Sequence, residues 1–155
     1  MTAPASPIVV GLQQVLAAQH ACVYGYPELG THLIDGGQVD QARTQEEAHR
    51  LVRDALAAQL VTLGQTPAAA DVAYAPPTAL TSDKAAQQWA VALEEQVAAA
   101  YRYLLVCAVQ AGGGQTMIRT QALTGLTTAA TSAVSWRGLV TPATPTVAFP
   151  GSSQG

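Results

Sequence analysis

Cysteine, lysine and aromatic residues are all scarce in this sequence, and each shortage removes a class of function. Cys22 and Cys107 stand far apart and outside any Cys-x-x-Cys pair, so neither a thiolate metal centre nor a dithiol redox motif is encoded. Each reads as a small buried hydrophobe, and the compartment expected is a reducing cytoplasm. Lys84 is the single lysine. With six scattered arginines and a net charge of -3, no stretch gathers the cations that neutralise phosphates, so no nucleic-acid partner is expected. No apolar run is long enough to span a bilayer, so no membrane association is expected. The opening Met-Thr-Ala-Pro-Ala-Ser-Pro lacks the basic-then-apolar order of a signal peptide. Gly112-Gly113-Gly114-Gln115 lacks the Lys-Ser/Thr ending of a phosphate loop, and no serine lies in a nucleophile elbow.

What the chain has in abundance is alanine, 31 of 155 residues. Alanine loses no side-chain entropy in a helix and is a poor strand residue, so the composition itself points to an all-helical chain. The 3-4 spacing of larger side chains predicts four helices. The first runs from Pro7 or Ile8 to Glu28, with Leu12, Leu16, Gln19, Val23 and Tyr26 on one stripe and Gly30 as its stop. The second runs from Val39 to Leu63 through Ala42, Glu46, His49, Val52, Leu56 and Leu60, and Gly64 is suited to end it. The third opens at Ser82-Asp83, an N-cap followed by first-turn acid, and carries Trp89, Leu93, Val97, Tyr101 and Leu104 to Ala111. The fourth spans Gln115 to Arg137, with Ala122, Leu126, Ala129, Ala133 and Trp136 in line and Thr120, Thr124, Thr127 and Thr131 opposite; Gly138 is expected to end it.

The connections are unequal. The first is about ten residues and the third a short glycine run, whereas the second, Gln65 to Thr81, spans about seventeen and contains three prolines. Helices of this size are roughly 36 Å long, and seventeen extended residues reach roughly 55 Å, enough to cross the whole bundle. One long crossover is the ferritin-like arrangement. The fold expected is therefore an all-α, ferritin-like four-helix bundle with a long crossover between helices 2 and 3. It occupies residues 7–138, between a flexible N-terminus (1–6) and an irregular C-terminal tail (139–155).

Polar residues fall inside this bundle. In an antiparallel hairpin centred near residue 34, Gln19 and His49 lie at equal height. Glu46 is one turn from His49, and Glu-x-x-His on an inward face is the spacing that di-metal carboxylate bundles use. Glu94 and Glu95 lie mid-way along the third helix, whose alanines leave undecided which of them faces inward. A di-metal site also needs a carboxylate where Gln19 stands and a second Glu-x-x-His, yet the fourth helix holds no Glu, Asp or His. The residues thus describe a degenerate metal site. Its fullest version is one iron or manganese ion on Glu46, His49 and Glu94 or Glu95, with His20 nearby. Against it stands a solvated face of Glu46, Glu47, Arg50, Arg53 and Asp54, with His20 and His49 as hydrogen-bonded core histidines and His32 in a loop.

Several stretches resemble an uncharacterised ferritin-like family of alanine-rich proteins from high-GC bacteria. They are Leu12 to Tyr26 (Leu-x-x-x-Leu-Ala-Ala-Gln-His-Ala-Cys-Val-Tyr-Gly-Tyr), Ala48-His49-Arg50-x-x-Arg53-Asp54-x-Leu56, Leu93-Glu94 with Ala100-Tyr101, and the closing Trp136 and Phe149-Pro150-Gly151. The resemblance implies a ferritin-like fold with no established activity. It marks Gln19, His20, His49, Arg53, Asp54 and Glu94 as a polar core cluster, with Gln19 standing where that family usually has glutamate. Three functional classes fit. The first is a non-catalytic module with a structural polar cluster, acting as a homodimer or through another protein and holding no cofactor. The second is a metal-binding or redox protein. The third is a small-molecule binding bundle with an Ala- and Thr-lined cavity beside Trp89 and Trp136.

Overall fold

A computed structural model describes residues 6–152; the expected flexible segment, apart from Ser6, lies outside them. Four helices follow in order, α1 (Pro7–Gly30), α2 (Gly36–Thr62), α3 (Asp83–Gln110) and α4 (Thr116–Val140). Local chemistry sets their ends. Ser6, Asp35 and Ser82 each accept a backbone N–H of the first turn, satisfying a donor that the helix itself leaves free. Gly64 closes α2 in the left-handed region at φ 72°; the following N–H, of Gln65, bonds Leu60 O at 2.9 Å, a closure that favours glycine.

Gly30 ends α1 as expected, two residues past Glu28, but the expected stop at Gly138 does not act. α1 runs through Pro27 to Gly30 and α4 runs through Gly138 to Val140, so the first connection is residues 31–35 and not ten residues. The buried Leu29 holds the last turn of α1 against the core. A proline so near a helix end forfeits one intrahelical bond without a break.

The long second connection is a crossover strapped along α1. Gln13 donates to Thr66 O and accepts from Ala68 N, both at 2.8 Å. Farther along, His20 bonds Ala68 O at 3.0 Å and Tyr24 packs on Tyr74, ring centroids 5.5 Å apart. The strap ends where Asp83 Oδ1 accepts from Ile34 N at 3.0 Å. The start of α3 therefore sits at the α1–α2 turn, making α3 antiparallel to α1 and parallel to α2.

Packing around the bundle is uneven. α1 packs on α2 and α3, and α3 packs on α4, but among the described residues no Cα of α2 lies within 8 Å of one in α4. Instead the α2–α4 seam is bridged by side chains. Gln41 donates to Ser135 Oγ at 3.0 Å, Trp136 Nε1 donates to Gln45 Oε1 at 2.5 Å, and Gln59 and Gln121 exchange two bonds of 3.2 and 2.9 Å. These rungs define an antiparallel register whose open middle lies near Val52 and Thr128. Between Gln45 and Gln59, fourteen residues of helix leave a window roughly 21 Å long.

The α3–α4 contact is tight enough to require glycine. A Cβ on Gly125 would lie 2.2 Å from Tyr101 Cζ. Gly125→Ala gains up to about 1 kcal/mol of helix propensity but faces an overpacking cost of about 1–3 kcal/mol that this contact puts at the upper end or beyond. We expect a net loss of about 2 kcal/mol, seen as a fall in melting temperature of roughly 5 °C. Adding Tyr101→Leu should restore most of it.

Candidate functional site

Three of the polar residues expected in the core meet at mid-bundle. His49 Nδ1 is 2.7 Å from Gln19 Oε1, and its Nε2 is 3.0 Å from Glu94 Oε1. Gln19 and Glu94 are each 1% exposed. Tyr26 completes the group, its hydroxyl donating to the same Glu94 Oε1 at 2.6 Å. Its ring stacks on that of His49, centroids 5.5 Å apart and planes 17° from parallel. Burial, and next the charge of Glu94, push the Tyr26 phenol well above its ordinary range, so it stays protonated as a donor. Oε1 already accepts from Tyr26, so His49 meets it with an Nε2–H. Nδ1 then faces the Gln19 amide, which serves it with its oxygen or, rotated, its NH2. Glu94 Oε2 is buried and has no hydrogen-bond partner.

The other candidate residues lie elsewhere. Glu46 is half-buried and pairs with Arg50 one turn on, facing a separate pocket with Tyr26 and Gly30. Glu95 points away from the core, 52% exposed, and pairs with Arg137 at 2.5 Å; of the two adjacent glutamates it is Glu94 that faces inward. His20 is held by the crossover strap. Arg53 and Asp54 pair with each other at 2.7 Å on the outer side of α2, because their neighbours Val52 and Leu56 take the inward positions. Cys22 lies beneath the cluster, its thiol raised by burial and then by Glu94, so it stays protonated and unreactive.

This donor set does not fit the di-metal centre of carboxylate bundles. That centre draws carboxylates from four helices, whereas here one carboxylate, Glu94, faces the site. Gln19 offers a neutral amide, and both ring nitrogens of His49 are engaged. Among the described residues no three His, Cys, Asp or Glu side chains converge as ligands. The single-ion arrangement loses its third ligand as well, since Glu46 and Glu95 turn to arginines.

The cluster floors a groove. The gap between α2 and α4 holds a cleft of about 410 Å³, within the range of small-molecule sites. Gln19, His49, Glu94 and Tyr101 line its base; Ala48, Val52 and Ala55 line the α2 wall, and Thr124, Gly125, Thr128 and Ser132 the α4 wall. Thr120 and Thr124 thus face the groove, while Thr127 and Thr131 lie exposed outside. Neither Trp89 nor Trp136 lines it: Trp136 is wholly buried behind Tyr26, ring centroids 6.3 Å apart. Tyr26 and Tyr101 were expected only as members of the apolar stripes, and the glutamine rungs were not singled out by sequence reasoning. The available signal was the pairing of Gln41 with Gln45 at i, i+4 on α2.

Buried tyrosines give the fold an alkaline limit. Burial raises Tyr101 to about 12, above the roughly 10 of an unfolded phenol. The unfolded chain therefore releases this proton first as pH rises. Stability is complete below pH ~10 and falls by about 2–3 kcal/mol as pH climbs towards ~12, with Tyr26 adding to the loss. Urea titrations at about pH 9 and pH 11 should show the drop, reduced in Tyr101→Phe.

The chain is similar to several solved structures, two of which follow. One is a conserved hypothetical protein, rv2844, from Mycobacterium tuberculosis, at 27% identity and a TM-score of 0.78, over 88% of this chain and 99% of that one. The other is described as ferritin-like, diiron-carboxylate proteins from Bacillus anthracis str. Ames; at 14% identity and a TM-score of 0.75, covering 86% of this chain and 94% of that one, it shows the fold alone. No curated protein matches. Among the described residues no helix is long and apolar enough to cross a membrane. Residues 11–154 match the family described as domain of unknown function DUF4439, and the chain belongs to that family, on a ferritin-like, all-α four-helix fold.

Proposed function

We propose that this chain is a non-catalytic, ligand-binding bundle in which the Tyr26–Glu94–His49–Gln19 network stands in place of a metal centre. The observation that carries this reading is the open seam: α2 and α4 stand apart over the network, and only side-chain rungs near the two ends join them. A network that served packing alone would be covered by apolar side chains, since a buried polar group without a partner costs about 1–3 kcal/mol. Here Glu94, whose Oε2 is buried without a partner, is one of the residues at the base of a groove walled by small residues.

Metal loading tests the reading directly. Protein incubated anaerobically with ferrous iron and then desalted is expected to retain far less than one ion per chain. Its melting temperature should not move with Fe, Mn or Zn. Stoichiometric retention of iron, lost in His49→Ala, would overturn the proposal in favour of a metal site.

A further inference from the structure

We infer that the α2–α4 groove takes a small organic ammonium compound, its charged head on Glu94 and a compact hydrocarbon body along the groove. This deepens the ligand-binding reading and rests on it. Two observations point to that chemistry independently. The first is the base of the groove. Glu94 Oε1 is fully used by Tyr26 and His49, whereas Oε2 is buried and unpartnered. A carboxylate oxygen only accepts, so its missing partner is a donor, and a charged donor gives the stronger bond.

The second is the lining. Among the described residues that line it, Glu94 and His49 are the titratable side chains besides Tyr101, and neither lysine nor arginine faces it, so no permanently charged cation stands ready for a bound anion. An ammonium group has three N–H donors. Glu94 supplies one acceptor, and the hydroxyls of Thr128 and Ser132 lie on the same groove. Ala48, Val52 and Ala55 offer a smooth apolar wall without long side chains, suited to a compact ring or short chain and not to an extended polar ligand. Nε2–H of His49 is committed to Oε1, so the histidine orients the carboxylate and leaves Oε2 to the ligand.

The test uses cyclohexylamine as probe, with cyclohexanol and cyclohexanecarboxylate as matched controls. Binding to the intact chain is followed by amide chemical shifts of groove residues. The amine should saturate in the millimolar range, about tenfold more tightly than the alcohol, and the carboxylate should not bind. Glu94→Gln keeps the shape and removes the charge, and should bring the amine down to the level of the alcohol. Ala55→Phe fills the groove from an exposed position, so it tests the site without disturbing the buried network, and should abolish both. Equal binding of amine and alcohol at the groove would overturn the ammonium assignment while leaving a ligand groove in place. Amine binding that survives Ala55→Phe would overturn it by putting the site elsewhere. No binding of any probe at the groove would remove both readings.

Discussion

Glu94→Ala loses about 3–4 kcal/mol of folding stability, because it strips one buried acceptor from two donors at once. Tyr26 O–H and His49 Nε2–H both end on Glu94 Oε1. The tyrosine is too deeply buried to find water, and the histidine is largely buried with it. Relief of the desolvated carboxylate offsets part of the cost, which keeps the loss from being larger. The informative comparison is an all-apolar core, Gln19→Leu, Glu94→Leu and His49→Leu with Tyr26→Phe, since Gln19 loses its bond once His49 is gone. Buried ionic groups replaced by apolar residues of similar volume are often neutral or stabilising, so this variant should lie within about 1 kcal/mol of the parent chain. Chemical denaturation of both variants decides the point. If the apolar variant is as weak as Glu94→Ala, the network is needed for stability and its link to ligand binding loses its support.

How far this site was legible follows from which physical signals are local. Caps at Ser6 and Ser82, the stop at Gly64 and the length of the second connection depend on a few adjacent residues, and all are readable. Gln19 and His49 were also readable as a pair. Equal distance from a hairpin turn fixes equal height, and the two side chains meet at 2.7 Å. Glu94 and Glu95 were not separable: neighbours on a helix differ by about 100° in direction, but the alanine-rich third helix carries apolar residues nearly all round, so no inward side stands out. Glu46 was misplaced towards the metal position for a related reason. It shares the helix face with His49, but one turn of displacement carries it to Arg50 and out of the cluster. An Ala- and Thr-lined cavity was readable, but its place between α2 and α4 and away from the tryptophans was not, because it arises from what two distant helices fail to bury. On α2, Ala48 and Ala55 read as helix formers, and on α4 the threonines read as the face opposite the apolar line. Only their register across the bundle makes them two walls of one groove.

Trp136→Ala is expected to cost about 3–5 kcal/mol, the usual range for truncating a buried tryptophan. Trp136 is fully buried, so no part of its surface is already paid for by water. Against a typical total of about 5–15 kcal/mol, this is a large share of the folding stability. Two separable losses make up this figure. The cavity left behind Tyr26 is one, and the bond from Nε1 to Gln45 Oε1 is the other. Trp136→Phe separates them, since it keeps much of the volume and removes the donor, and should cost about 1–2 kcal/mol. Trp89 remains as the fluorescent reporter in both variants. Because the Gln45 bond is a rung of the α2–α4 seam, Trp136→Phe should also raise amide exchange around residues 41–45 while leaving the Gln59–Gln121 end unchanged. Uniformly faster exchange along α2 would instead mean that the seam opens as one unit. In that case the rungs at its two ends would not hold independently, and the groove between them would widen when either is lost.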